Sequence, residues 1–331
     1  MTSADRLPIA VDAMGGDDAP ASILAGAKIA VEQHGVPVLL VGDPEILGDT
    51  DGIPIKPASE VIGMDAEPAA SVRKMKDSSI VRAAEAVRDG EAAALLSAGN
   101  TGASMAASLL RLGRIRGVKR PSIAVPFPVL GSTPTTLLDC GANADCQPEW
   151  LVQFAQMGAV YARTRFGIET PRVGIMTIGE EAGKGNQMVK ATCELLESPN
   201  WVDACGAVYV GNLEGRDLMS GSADVIVCDG FTGNTILKSL EGGMAIALDA
   251  IKAQLAPVTG ANELLEPLYT ELDPDSRGSA ILLGSKQVSM IAHGSSSPFA
   301  IANAIRTASE MVDAGIVANL RAMVEAASSD G

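Results

Sequence analysis

Four apolar runs of strand length end in the same vocabulary: LLSAGNTG at 95–102, LDCGANAD at 138–145, YVGNLEG at 209–215 and CDGFTGN at 228–234, and the loop TIGEEAGKGN at 177–186 ends likewise. Glycine lets backbone N–H groups approach a ligand closely, and asparagine adds a neutral donor. Gly-Asn pairs also make good left-handed turns, which accounts for any single instance. Their return at comparable positions points to a shared ligand site. The donors are amides, backbone and one lysine, Lys184, a set suited to an anionic or carbonyl oxygen rather than a metal.

The other reactive side chains are few. His293, in IAHGSSS, follows a short apolar run and is a better acid/base candidate than His34 at a helix end. A lone histidine is more often structural. Five cysteines occur without CxxC or Cys/His metal spacing; Cys140 and Cys146 flank a loop, and a bystander thiol is the commoner case. Two nucleotide motifs fail. GEEAGKG has one residue too few between its glycines for a P-loop and carries Gly185 where Ser or Thr would hold magnesium. GKGNQM ends in Met188, where the dinucleotide fingerprint needs a third glycine.

Positioning these residues requires strands whose carboxyl ends share an edge. Strand candidates at Ile9–Val11, Val38–Val41, Ala93–Leu96, Ser122–Val125, Thr136–Asp139, Arg172–Met176, Ala207–Val210 and Asp224–Cys228 alternate with Ala-rich segments of helix length such as Pro20–His34, Ser79–Asp89 and Pro148–Arg165. That alternation predicts βαβ units and a mainly parallel sheet, whose strand-end loops converge on one crevice. No linker or repeat is visible, so residues 1–331 read as a single α/β/α domain. After Gly233 a long helix is expected over Asn234–Leu255, then a Pro-broken stretch, then a shorter helix from Ser276. Residues 234–283 would thus form a projecting arm suited to dimerisation.

Composition narrows the class. No run of eighteen apolar residues and no basic, apolar leader is present, which gives an expectation of a cytoplasmic protein. A net charge of −15 excludes nucleic acid and most anionic surfaces as partners. Against that background RLGRIRGVKR at 111–120 carries Arg111, Arg114, Arg116, Lys119 and Arg120 without an acid, and SVRKMK adds Arg73, Lys74 and Lys76. Either reading holds from charge alone: a docking surface for an acidic partner, or a solvated helix end.

The stretches VDAMGGDDAP, SAGNTGASMAASLLRLGRIRGVKRPSIAVPFP, LLDCGANAD, EEAGKGN, GNLEGRDL, ADVIVCDGFTGN and AHGSSS follow in order from about residue 8 to about residue 310, and together they closely resemble the phosphate acyltransferases of bacterial phospholipid synthesis. The resemblance implies a three-layer α/β/α fold, mainly parallel and akin to isocitrate and isopropylmalate dehydrogenases. It implies a homodimer that moves a long acyl chain from the thioester of acyl carrier protein to inorganic phosphate, without metal or cofactor. The acyl phosphate would pass to a membrane glycerol-3-phosphate acyltransferase.

Phosphate is itself the nucleophile in such a reaction, so the protein must hold it beside the thioester and stabilise an oxyanion. On this reading Lys184 binds phosphate or developing charge, Asn100, Asn212 and Asn234 donate to phosphate or carbonyl oxygen, and His293 assists proton handling. Gly15 and Gly16 form one wall of a phosphate cradle, with Asn100, Thr101 and Gly102 contributing. Asp12 and Asp17 would orient Lys or Asn partners, and the bases of 111–120 would dock the acidic carrier. Residues 255–275 hold five acids and no Lys or Arg, so peripheral attachment to the inner face of the membrane through that tip would have to be apolar. Rival readings are a phosphate acetyltransferase-like enzyme using acyl-CoA, a nicotinamide-dependent dehydrogenase of the same fold class, and a non-catalytic scaffold.

Overall fold

A computed structural model describes residues 6–198, 201, 205–258, 260–272 and 279–329. In chain order the elements are β1 (Ile9–Asp12), α1 (Ala21–His34), β2 (Val38–Gly42), α2 (Pro44–Leu47), β3 (Ile55–Pro57), α3 (Pro68–Lys74), α4 (Ser79–Arg88), β4 (Ala94–Ser97), α5 (Thr101–Ala107), β5 (Ser122–Phe127), β6 (Thr135–Leu138), α6 (Pro148–Phe166), β7 (Arg172–Met176) and α7 (Gln187–Glu197). They continue with β8 (Val208–Leu213), β9 (Val225–Val227), α8 (Gly230–Leu255), α9 (Ala261–Leu272), β10 (Ala280–Leu283), β11 (Val288–Ile291), α10 (Pro298–Asp313) and α11 (Ile316–Ser329). The strands pair mostly in parallel and helices cover them, an α/β fold. The chain divides into two compact units, Met1–Ile123 with Gly278–Gly331, and Ala124–Arg277.

In the first unit β3, β2, β1, β4 and β11 run parallel, and β10 closes the row antiparallel to β11. All four side chains of β1 are buried, including Asp12. A parallel strand covered on both faces needs no polar alternation, which is why IAV reads as one apolar run. On one face α4 sets Ile80, Val81, Ala84 and Val87 against Ala10, Val41 and Leu95. Its apolar residues recur at helical spacing, and it stops at Gly90, whose φ of 78° suits a left-handed end. On the other face α1 and α10 pack together.

In the second unit the order is β5, β6, β9, β7, β8, with β5 antiparallel and the rest parallel. Helix α6 begins with Pro148 at its first position and ends at left-handed Gly167, the usual asymmetry of such termini. Helix α8 starts four residues earlier than the sequence suggests. It buries only Gly230, Gly233 and Leu237.

Two expectations need correcting. The Pro-broken stretch contains a helix, α9, that carries Pro267 within it. The helix expected from Ser276 is not found: residues 273–278 lie outside the described residues, and Ala280–Leu283 is a strand. No helix among the described residues is long and apolar enough to cross a membrane.

Candidate active site

Parallel strands bring their following loops to one edge, and the first unit gathers three there: 13–20 after β1, 98–100 after β4 and 292–297 after β11. Backbone bonds tie them together, with Asp17 N donating to Gly294 O at 2.8 Å and Ala292 N to Ser97 O at 2.9 Å. Gly15 sits where a Cβ would lie 2.7 Å from Asp12 Oδ2 and 2.9 Å from Gly99 Cα, so the two loops touch through bare backbone. Beneath them Asp12 accepts from Ser97 Oγ at 2.7 Å and Met14 N at 3.4 Å. Burial raises its pKa, and hydrogen bonds from Ser79, Ser97, Met14 and Gly15 offset part of that rise. Its partners are therefore serine hydroxyls and backbone, not the Lys or Asn expected from sequence.

Asn100 is committed locally. Its side-chain oxygen caps α5 by accepting from Ala103 N at 2.9 Å, and its Nδ2 donates to Met64 O at 2.6 Å and Ala66 O at 3.3 Å. Thr101 and Gly102 open α5, and a Cβ on Gly102 would meet Pro68 Cγ at 2.5 Å. The hollow lined by Asp12, Gly15, Ser79, Ser97, Gly99 and Asn100 measures about 10 Å³. That is room for one water, so an anion at this edge would sit above it, against the loop backbones. His293 lies exposed at the end of β11, where its carbonyl accepts from Ser296 N at 3.1 Å.

The second unit repeats the device. Asp139, fully buried after β6, accepts from Ala142 N at 3.1 Å, Asn143 N at 2.7 Å and Asn143 Nδ2 at 2.9 Å. It folds the LDCGANAD loop onto itself. Gly233 in the first turn of α8 packs so closely on the Asp139 carbonyl that any Cβ would collide with it. This approach sets Asn234, exposed one residue on, beside the Gly141 turn.

After β7, Lys184 and Asn212 meet through one residue. Lys184 Nζ lies 3.8 Å from Glu181 Oε2, with about half of its side chain exposed, and Asn212 Nδ2 donates to Glu181 O at 2.9 Å. Asn212 Oδ1 also accepts from Cys193 Sγ at 3.3 Å. Asn212 thus shapes the loop that carries Lys184. Arg216 adds a second cation nearby, paired to Glu180 at 2.8 Å and Glu214 at 3.3 Å. Asn186, the last residue of that loop, caps α7 by accepting from Val189 N at 2.9 Å.

The sequence reading overlooked Asp139 and the serines around Asp12. Both acids carry a signal: a carboxylate directly after an apolar strand, two or three residues before glycine or asparagine. Cys140, Cys146 and Cys228 are poor nucleophiles. Burial and then Asp139 push Cys146 up to about 12, and burial holds Cys140 and Cys228 well above the ordinary range.

The basic stretch divides. Arg111 is drawn in, its Nε 3.3 Å from Glu85 Oε1 and its Nη2 donating to Val72 O at 3.3 Å. Arg114, Arg116, Lys119 and Arg120 are exposed, with Arg114 donating to the Lys119 carbonyl.

Comparison with known proteins places this architecture. The profile of a family described as "Fatty acid synthesis protein" matches residues 7–319. The phosphate acyltransferase of Pelotomaculum thermopropionicum is 46% identical over 334 residues, covering 96% of this chain and 95% of that protein. Among solved structures, a branched-chain phosphotransacylase from Enterococcus faecalis superposes with a TM-score of 0.62 at 16% identity, over 92% of this chain and 99% of that one. The 4-hydroxythreonine-4-phosphate dehydrogenase of Klebsiella pneumoniae gives 0.52 at 14%, over the same shares. At such identities these two likenesses concern fold alone. The first two matches run nearly end to end and include every glycine-bearing strand end described above, and on them the chain belongs to the phosphate acyltransferase family.

Proposed function

We propose that this chain transfers a long fatty acyl group from acyl carrier protein to inorganic phosphate. The observation that carries the reading is near-full-length identity to a phosphate acyltransferase. A phosphate oxygen attacks the thioester carbonyl carbon, the C–S bond breaks, and the phosphate proton passes to the departing thiolate. Acyl phosphate and free carrier result. No side chain need act as nucleophile, which agrees with thiols held protonated by burial.

In this reading Lys184 holds phosphate or the growing oxyanion charge, and Asn234 donates to an oxygen from the first turn of α8. Asn212 acts as a positioning residue through Glu181. Gly15 and Gly16 offer backbone, Thr101 and Gly102 contribute from the first turn of α5, and Asn100 ties that turn to 64–66. His293 eases the proton transfer. The enzyme works as a cytoplasmic homodimer and hands its product to a membrane glycerol-3-phosphate acyltransferase. A second reading, acyl-CoA as donor, draws on the fold shared with a phosphotransacylase.

The test incubates the protein with labelled phosphate and either thioester, and follows hydroxylamine-sensitive product. Lys184→Ala should cost on the order of 100-fold in turnover, the scale of losing one oxyanion partner. His293→Ala should slow turnover and alter its pH profile. Near-normal rates in both folded variants would remove these roles.

A further inference from the structure

The exposed bases of the 114–120 segment do not stand alone. Lys286, in the turn between β10 and β11, and Arg321, on α11, face the same hollow as Arg116, with Ile115 and Glu325 completing a groove of about 390 Å³. The segment is fastened in place: Ile115 N donates to Gly284 O at 2.9 Å, Lys286 N to Gly113 O at 3.0 Å, and Arg321 Nη2 to Lys286 O at 3.4 Å. Three cations from three separate parts of the chain thus share one rim with one acid. Arg116, Lys286 and Arg321 form no ion pair with a described residue, in contrast to Arg111 on Glu85.

The position of the groove matters as much as its charge. Lys286 comes two residues before Val288, which pairs with Ala94 at the start of β4. The groove therefore lies at the amino edge of this parallel row. The loops 13–20, 98–100 and 292–297 lie at the carboxyl edge, a strand length of about 10 Å away. A cationic surface there is separate from the loop cluster at the carboxyl edge of this unit.

We infer that the groove formed by Arg116, Lys286 and Arg321, with Arg114 beside it, docks the body of an acidic protein, the carrier whose flexible arm bears the acyl thioester. The inference rests on the proposed reaction for the identity of that partner. Charge complementarity selects the occupant: in a chain of net charge −15, an unneutralised cluster is where an anionic partner is favoured over the rest of the surface. Docking here affects encounter and affinity, not the chemical step.

The experiment compares wild type with the double variant Lys286→Glu/Arg321→Glu, and with the milder Lys286→Gln/Arg321→Gln as a guard against misfolding. Each is assayed with an acyl-carrier thioester and with an acyl thioester of N-acetylcysteamine, which lacks the carrier body. The expected result is a rise in KM for the carrier thioester of about tenfold or more in the reversed variant and a smaller rise in the neutral one. The kcat and the small-thioester rate should be unchanged. Unchanged KM in a variant of an enzyme that does use the carrier overturns the docking surface and leaves the reaction intact. Equal losses with both thioesters overturn it too, since the groove would then act through the site. Loss of binding to phosphatidylglycerol vesicles with carrier KM unaltered would assign the groove to a lipid surface instead. A wild-type protein that forms acyl phosphate from acyl-CoA alone removes the proposed donor, and this inference with it.

Discussion

Asp12 shows how a single carboxylate can organise a strand end. It lies 3% exposed, holds Ser97 and the Met14 N–H, and leaves no space beside it for anything larger than Gly15. Burial raises its pKa above the ordinary 3.8, so between 3.8 and its folded value the native state binds a proton that the unfolded chain has released. Its contribution to stability is fully present below 3.8 and is lost as pH rises through the folded value. Asp12→Asn removes that step. Urea unfolding from pH 4 to pH 7 should therefore show wild type losing stability relative to the variant as pH increases. A difference that stays flat over this range would mean that Asp12 ionises in the fold as easily as outside it.

At the level of elements, helix α8 has little to pack against in the chain taken alone. It runs 26 residues, yet only three at its start are buried, and Ile246 is 73% exposed. Leu264 on the adjoining α9 is 78% exposed. Under the proposed homodimer a second copy covers this surface. Ile246→Glu replaces a side chain that has no burial to lose within one chain, so folding should change by no more than about 0.5 kcal/mol. Sedimentation should nonetheless show a shift toward monomer; a variant that remains dimeric would place the interface elsewhere.

The same elements show what the sequence could reveal. All eight strand candidates are strands within a few residues, because strands buried on both faces write continuous apolar runs between glycine turns. β3 was missed as a three-residue edge strand between prolines, β10 because Ala280–Leu283 falls within the helix expected from Ser276, and β11 reads only as the short apolar run before His293. The site was legible as a set of loops and less so as contacts. Asn100 and Asn186 prove to be helix caps, the ordinary use of that residue type, while Asn212 reaches the loop of Lys184 through Glu181, 31 residues away, a bond that no local pattern encodes.

For the whole molecule, 40 acidic against 25 basic residues give a field that repels an acidic carrier at long range, whereas the groove of Arg116, Lys286 and Arg321 attracts it at short range. Salt separates the two. At 0.01 M ionic strength the Debye length is about 30 Å and the summed charge is felt; at 0.15 M it is about 8 Å and only the facing residues count, and at 1 M about 3 Å, where even those are screened. Under the proposed docking, kcat/KM for the carrier thioester should rise from low salt to a maximum at intermediate ionic strength and then fall. The Lys286→Glu/Arg321→Glu variant, with both long-range and local terms repulsive, should only rise. Activity on a neutral small thioester should follow neither curve. A wild-type profile that climbs throughout, indistinguishable from the variant, would mean that the local cluster contributes nothing against the net charge of the chain.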